Sequence, residues 1–477
     1  MNSLKQKTVS GIKWTFAASI VQRIISFGTT IILARILSPA DFGLFALAFV
    51  MIDAFGIFKS LGFDSALVRR KKDDIDKACN TAFFLIPAMG MILFTILFLF
   101  APLGARFLNN PQVANVIRAL AVIFVIGCFA KIPQTILYRD MKFKFKSIAE
   151  LSGNIVYSSV ALILALNKVG VWSLVYAYIF KSLLQSTMEW IYSGWKPKFE
   201  FDKAIAWDMF HFGKYILAGG IVGFLYSNSD NIIVGKFLGV TMLGYYAIAM
   251  NLSNFLTDYF LGKVGAVMYP AYAKIQEDSE DVKRVMLKAV KYASIVLFPF
   301  SFGLFLFAPD ILNLVFGAKW LPATNILRIL CFVGLFRSLG TTMWPAFLAK
   351  GKSKIDFQIN VAQVIIFLIL VIPLALKFKL IGVGAAVLLS NFIGFCIGLI
   401  RVEKMLHIRS LEVFKSLRPA LTASLLMLAG GIFFKSFPIF EIQKLNFLIS
   451  AGGAVLVYFF ALYFMDKNIL KEAREVF

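Results

Sequence analysis

Long apolar runs alternate with short polar breaks along almost the whole 477-residue chain. The runs lie at approximately 14–37, 42–67, 78–102, 113–137, 147–166, 169–194, 210–237, 241–268, 286–309, 324–349, 355–376, 380–403, 416–435 and 445–465. A bilayer core of about 30 Å takes roughly 20 apolar residues as a helix, and each run meets that length. The pattern therefore predicts an all-α membrane protein of about fourteen transmembrane helices. Composition agrees: 60% of residues are hydrophobic, 16% are charged and mean hydropathy is +0.80, whereas soluble domains carry about a quarter of their residues as charges.

The polar breaks carry the orientation. Of the 49 Lys and Arg residues, with border residues such as Arg401 and Arg418 counted with the adjoining break, 31 fall in one alternate set of breaks, seven in the other, and eleven inside the spans. The positive-inside rule makes the rich set cytoplasmic, which places both termini in the cytoplasm and requires an even number of spans. The opposite breaks do not exceed about fifteen residues, so no extracytoplasmic domain is expected. A net charge of +23 would suit a nucleic-acid binder if it were gathered on one face. Here it is scattered between spans, and nucleic acid is not expected as a partner. Cys79, Cys128, Cys331 and Cys396 lie in or beside apolar segments without a CxxC pair and read as small buried hydrophobes. The first run contains Arg23, lacks a small-residue cleavage site and is too long for a signal peptide. It is expected to stay as span 1.

The chain also repeats itself. A shift of 201 lays Ile31–Ala48 on Ile232–Ala249 with six of eighteen positions identical, Arg35 meeting Lys236 and Gly43 meeting Gly244. A shift of 212 pairs Pro133 with Pro345 and Gly170-Val171 with Gly382-Val383. Two six-span halves that both start in the cytoplasm are parallel repeats, a transporter architecture. The expected division is an N-lobe at 1–194, a cytoplasmic linker at 195–209, a C-lobe at 210–403, and spans 13 and 14 with a cytoplasmic tail at 404–477.

The run Leu33-Ala34-Arg35-Ile36-Leu37-Ser38-Pro39-Ala40-Asp41-Phe42-Gly43-Leu44-Phe45-Ala46, followed by Leu61-Gly62-Phe63-Asp64-Ser65-Ala66-Leu67-Val68-Arg69, resembles the start of Wzx-type polysaccharide and O-antigen flippases. The resemblance is strongest to the branch associated with colanic and teichuronic acid export. These belong to the multidrug/oligosaccharidyl-lipid/polysaccharide (MOP) exporter superfamily, which also holds MATE transporters and the lipid II flippase. The resemblance covers the chain in span number, loop lengths and a six-plus-six-plus-two plan. It implies a two-lobed MATE/MurJ-like bundle in a bacterial cytoplasmic (inner) membrane. It further implies transfer of an undecaprenyl-diphosphate-linked oligosaccharide, a polysaccharide repeat unit, from the cytoplasmic to the outer leaflet. The implied route is alternating access through a cationic central cavity, coupled to an Na⁺ or H⁺ gradient, with no cofactor. Implied partners are the lipid-linked glycan, membrane lipids, and the polysaccharide polymerase or export machinery.

Such a substrate needs cations for its diphosphate and polar groups for its sugars, and ionisable residues at membrane depth default to functional sites. Arg35, Arg118, Lys131, Lys214, Lys236 and Arg328 lie near span ends and are expected to snorkel. Arg23, Lys59, Lys181, Lys263 and Arg337 lie deep and are expected to line the cavity, with a structural ion pair as the plainer alternative. Ser19, Gln22, Arg23, Ser26, Thr29 and Thr30 recur at helical spacing as a polar stripe on span 1, which singles out Arg23 and Gln22. Asn251, Asn254 and Asp258 share a face of span 8, and span 7 carries Tyr226-Ser227-Asn228-Ser229-Asp230-Asn231. Asp53, Asp230 and Asp258 are the candidates for ion coupling. Asp64, Glu150 and Glu189 sit nearer the cytoplasmic ends, as do His211 and His407, so a histidine relay is not expected. Gly219, Gly220 and Gly223 read as close helix packing; Pro133, Pro299, Pro345 and Pro373 read as kinks.

Enzyme-like patterns fail on context. Asp74-Ile75-Asp76 has the form of a metal-binding DxD but lies in a short basic loop, Ser10-Gly11-Ile12-Lys13 lacks the companions of SxxK, and the sequon Asn251-Leu252-Ser253 falls within a span. A membrane glycosyltransferase or polymerase would need a sizeable external loop. A MATE-like multidrug or cation antiporter would favour acids and aromatics at depth, whereas the deep charges here lean basic. The chain is expected to be a transporter and no enzyme, without a metal site.

Overall fold

A computed structural model describes the backbone of residues 2–70, 74–257, 262–437 and 443–465, and side chains at 14–15, 18–70, 74–214, 216–257, 268–437 and 444–465. Asp258 and the side chain of Lys263 lie outside the described residues, as do 466–477. The described residues form helices α1 (Asn2–Ile36), α2 (Pro39–Gly56), α3 (Phe63–Arg69), α4 (Ile75–Phe107), α5 (Gln112–Phe129), α6 (Lys131–Arg139), α7 (Phe143–Leu166), α8 (Trp172–Ser193) and α9 (Lys203–Ile233). There follow α10 (Val240–Ser253), α11 (Gly262–Lys274), α12 (Ser279–Ile311), α13 (Thr324–Met343), α14 (Pro345–Ala349), α15 (Ser353–Leu406), α16 (Ser410–Ser436) and α17 (Gln443–Met465). No strand occurs among the described residues.

Eleven described helical stretches are long and apolar enough to cross a membrane, with Ser353–Leu406 counted once. That 54-residue stretch is non-helical at Lys379 (φ 52°, ψ −130°), and either side of the break is long enough to span on its own. α8, with Lys181 and Glu189 in its 22 residues, is not among the eleven. Large side chains such as Leu166, Leu376, Leu456 and Phe460 stand outward, each about 60–80% exposed. An outer surface of that kind requires lipid as solvent. The chain is a multi-pass membrane protein.

The chain divides into two compact units, Met1–Gly244 and Tyr245–Phe477. The N-lobe boundary expected at 194 falls inside the first unit. There, α1, α7 and α8 bury Leu33, Leu37, Ala161, Ala165, Leu174 and Ala177, while α3, α4, α6 and α9 close over Phe63, Leu67, Ala82, Ile132 and Met209. In the second unit Met286, Val290, Leu297, Leu339, Met343, Phe347 and Val402 form the core. α16 and α17 pack onto α12 there, and Tyr458 donates its hydroxyl to the Ile295 carbonyl at 2.7 Å.

The start of α2 explains the motif at 37–42. Ser38 caps the helix, accepting from the Asp41 N–H at 3.2 Å, while Asp41 accepts from the Ser38 N–H at 2.9 Å and Pro39 takes the first turn. This is a capping box with a proline where no N–H is needed.

Several expected spans are broken helices. The 42–67 run is α2 and α3 with an irregular stretch between, where Leu61 (φ 48°) and Gly62 (φ 76°) turn left-handed. The 113–137 run breaks at Ala130, three residues before Pro133, and the 324–349 run breaks at Trp344, directly before Pro345. Each proline withholds an N–H from the ladder. The two repeat-related prolines thus mark the same construction. Pro299 and Pro373, by contrast, lie inside α12 and α15.

Two further features recur in both halves. Arg118 donates Nε to the Phe98 carbonyl at 3.1 Å with its guanidinium 5.4 Å from the Phe98 ring; Arg328 does the same to Phe305 at 3.2 and 5.7 Å. Each arginine thus staples a helix pair. Gly43 and Gly244, 201 residues apart, are pressed against each other's helix: the Val240 carbonyl occupies the place of a Gly43 Cβ, and the Pro39 carbonyl that of a Gly244 Cβ. Val240 is itself 201 residues from Pro39. The contact is reciprocal.

The segment before α9 is tied down. The Lys198 N–H reaches Asn80 Oδ1 at 3.0 Å, the Asp202 N–H reaches Thr81 Oγ1 at 3.1 Å, and Lys77 pairs with Asp202 at 2.9 Å. Farther along α9, Gly213 lies against the Leu61 carbonyl and Gly220 against Ile57, but Gly219 and Gly223 face open space. Close packing was expected of all three glycines at 219–223; only Gly220 supplies it.

Candidate functional site

Unit 1 holds a buried polar network that begins on α7 and α8. Lys181 donates Nζ to Asn154 Oδ1 at 2.8 Å and lies 5.6 and 6.0 Å from the rings of Tyr178 and Tyr157. Gly153 lets the helices approach here, since a Cβ would sit 3.2 Å from Gln185 Cβ and 3.4 Å from Lys181 Cγ. Tyr178 packs edge-on against Phe49 at 4.9 Å and interacts electrostatically with Asp53, whose side chain is exposed on α2. Glu150, one turn before Asn154, is held by Lys146 at 3.3 Å.

The network continues towards the other end of α8. Glu189 is 3% exposed, and its Oε1 accepts from Gln185 Nε2 at 3.0 Å and Gln134 Nε2 at 3.3 Å. Gln134 in turn accepts from Lys131 at 3.4 Å, and Lys131 forms an ion pair with Asp64 at 2.9 Å. Asp64 also accepts from the Ser60 hydroxyl at 3.0 Å. Lys59 sits in the irregular stretch after α2, with its amine against Gly127 on α5 and its carbonyl accepting from Cys128 Sγ at 3.6 Å. It interacts electrostatically with Lys131, Glu189 and Asp64 but has no carboxylate within ion-pair distance among the described residues.

Of the expected residues, Lys59 and Lys181 belong to this network. Gln22 and Arg23 share a half-buried stretch of α1, where Gln22 Nε2 is buried without a hydrogen bond among the described residues. Thr29 departs from the expected stripe: it is 5% exposed and donates to Ser158 on α7 at 2.8 Å, a helix-to-helix bond. Asp230, 8% exposed near the end of α9, accepts from the Asn231 N–H at 2.8 Å. In unit 2, Arg337 donates Nε to Asn391 Oδ1 at 3.1 Å, and Asn254 Oδ1 is buried without a hydrogen bond among the described residues. The expectation that Lys131 snorkels is corrected by its ion pair. The buried centre at Glu189, and the roles of Gln134, Gln185 and Asn154, were not singled out from the sequence. The four-residue spacing of Gln185 and Glu189 was the available signal. His, Cys, Asp and Glu form no metal-holding group among the described residues.

A family model described as polysaccharide biosynthesis protein matches residues 32–325. The lipopolysaccharide biosynthesis protein WzxC of Escherichia coli (strain K12) is 27% identical over 374 residues, covering 77% of this chain and 75% of its own. The teichuronic acid biosynthesis protein TuaB of Bacillus subtilis (strain 168) is 26% identical over 473 residues, 97% of this chain and 96% of its own. Among solved structures, the lipid II flippase MurJ in an inward closed conformation superposes with a TM-score of 0.80 at 17% identity, over 97% of this chain and all of that one. An inward-facing MATE-family multidrug transporter gives 0.60 at 18% identity over 80% of this chain and 95% of its own. These two likenesses establish the fold, a MATE/MurJ-like helical bundle. With its family model spanning more than half its length, the chain belongs to the polysaccharide biosynthesis protein family.

Proposed function

We propose that this chain is a flippase that carries an undecaprenyl-diphosphate-linked oligosaccharide from the cytoplasmic to the outer leaflet of a bacterial inner membrane, coupled to an ion gradient. Fourteen spans with both termini cytoplasmic complete the reading. The observation that carries it is a basic side chain at membrane depth held by a neutral amide, Lys181 on Asn154. A cation at that depth costs ~3 kcal/mol on insertion scales. Held by an amide, Lys181 keeps its charge for an anion. Arg23 and Gln22 on α1, with Lys59, are assigned to the head group; guanidinium meets diphosphate oxygens bidentately. Polymerase or export machinery would receive the product on the outer side.

The MATE likeness favours one other reading, export of organic cations, for which cationic residues at depth are a poor lining. Deleting the gene separates the two. The flippase reading expects a lipid-linked glycan to accumulate on the cytoplasmic leaflet, and a wild-type copy to clear it. Absence of any such intermediate, with gain of sensitivity to cationic drugs, would overturn it.

A further inference from the structure

We propose that Glu189 is a proton-binding carboxylate, and that its protonation frees Lys59 to hold an anionic head group, so that proton and diphosphate bind together. The first part stands on the geometry of unit 1; the second rests on the function proposed above.

Four charged side chains meet here: Lys59, Lys131, Asp64 and Glu189. With all four ionised the cluster sums to zero. Asp64 is committed, since it takes Lys131 at 2.9 Å and Ser60 at 3.0 Å. Glu189 differs from it in each respect. Its donors are two neutral amides, both on Oε1, and Oε2 makes no hydrogen bond among the described residues. A carboxamide can donate to a carboxylate or, turned over, accept from a carboxylic acid. With a proton on Oε2, Gln185 and Gln134 go on donating to Oε1, so the hydrogen bonds of Glu189 survive in either protonation state.

Among the described residues the surroundings supply no competing cation. From α7 comes Glu150, already held by Lys146; from α6 comes Lys131, shared between Asp64 and Gln134, while Arg139 is bound to the carbonyls of Leu67 and Arg70. From α5 comes the Cys128 thiol, and from the stretch after α2 comes Lys59 itself. Lys181, on α8, is bound to Asn154. Lys59 is thus the cation whose field Glu189 balances. A proton arriving on Oε2 forms an O–H bond, removes that negative charge and leaves the cluster at +1, carried by Lys59. Diphosphate binding to Lys59 and proton binding to Glu189 then favour each other by the same factor.

The test uses the full chain in lipid nanodiscs and has two arms. In infrared difference titration, the wild type should show a carboxylic-acid band that appears on acidification. Glu189→Gln should lose that band and Glu189→Asp should shift it. An identical band in wild type and Glu189→Gln overturns the proton site. In the second arm, farnesyl diphosphate binding is measured calorimetrically across the same pH range. Wild-type affinity relative to Glu189→Gln should rise as pH falls, by up to about tenfold per pH unit, and Lys59→Met should abolish the difference. A ratio independent of pH, with the infrared band present, overturns the linkage. Failure of both proteins to bind the diphosphate at any pH, with the band present, counts against the flippase reading and leaves the proton site standing.

Discussion

The reciprocal glycine contact offers the sharpest test of how the chain moves. Replacing Gly244 by Ala puts a methyl group where the Pro39 carbonyl oxygen stands, with the Pro39 carbonyl carbon 2.7 Å away; Gly43→Ala meets Val240 in the same way, its carbonyl carbon at 2.6 Å. Ordinary Cβ contacts begin at 3.4 Å, so the starts of α2 and α10 would have to part by roughly 1 to 2 Å to admit the group. Overpacking of this kind costs about 1–3 kcal/mol. Spent on a conformational equilibrium, that is a shift of about 5- to 150-fold against the state with these helices in contact. Spin labels at Ala40 and Thr241, beside the contact, would report it through their distance distribution in nanodiscs. Parent protein should give one short distance, and either alanine variant a second, longer population. Because parting one glycine also releases its twin, the double variant should shift the equilibrium by less than the two single effects added together. Distance distributions identical to the parent's in both single variants would refute the reasoning.

Three further outcomes follow from the geometry. Asp64→Asn or Lys131→Met leaves a largely buried charge without its partner and should lower stability in detergent by about 2–3 kcal/mol, with the paired replacement recovering part of it; thermal unfolding measures both. Arg118→Met and Arg328→Met should each cost about 1 kcal/mol in the same assay and to a similar degree, since each removes one helix-to-helix bond of the same construction. Arg23→Ala should abolish glycan export at normal membrane abundance, with Arg23→Lys rescuing poorly; normal export in Arg23→Ala would remove Arg23 from the head-group site.

Much of the membrane architecture was legible because its signals are local. Ser38, Pro39 and Asp41 announce a helix start within four residues, and the 201-residue shift already pairs Gly43 with Gly244. What stayed hidden depends on distant partners. Lys131 reads as a snorkelling end residue until Asp64, 67 positions earlier, is seen beside it. Glu189 looks peripheral because Gln134 and Lys59 reach it from other elements, across an irregular stretch that the apolar run at 42–67 conceals. The glycines at 219–223 mislead for the opposite reason. A small residue inside a membrane helix suggests a close neighbour, and only the structure shows that Gly219 and Gly223 have none at the Cβ position among the described residues.

The tie between α4 and the start of α9 has a mechanical consequence. Asn80, Thr81 and Lys77 clamp the approach to α9 at its first turn, and Gly213 lies against the Leu61 carbonyl farther on. Beyond α9, Val240 is wedged against Gly43. Between these fixings α9 is a beam held at both ends and steadied by Ile57 at Gly220, with Gly219 and Gly223 bare on either side. Release of the far clamp turns the beam into a cantilever rooted on α4, free to bend where the backbone is barest. The segment before α9 is then the root of any such bending, and the swing belongs to α9.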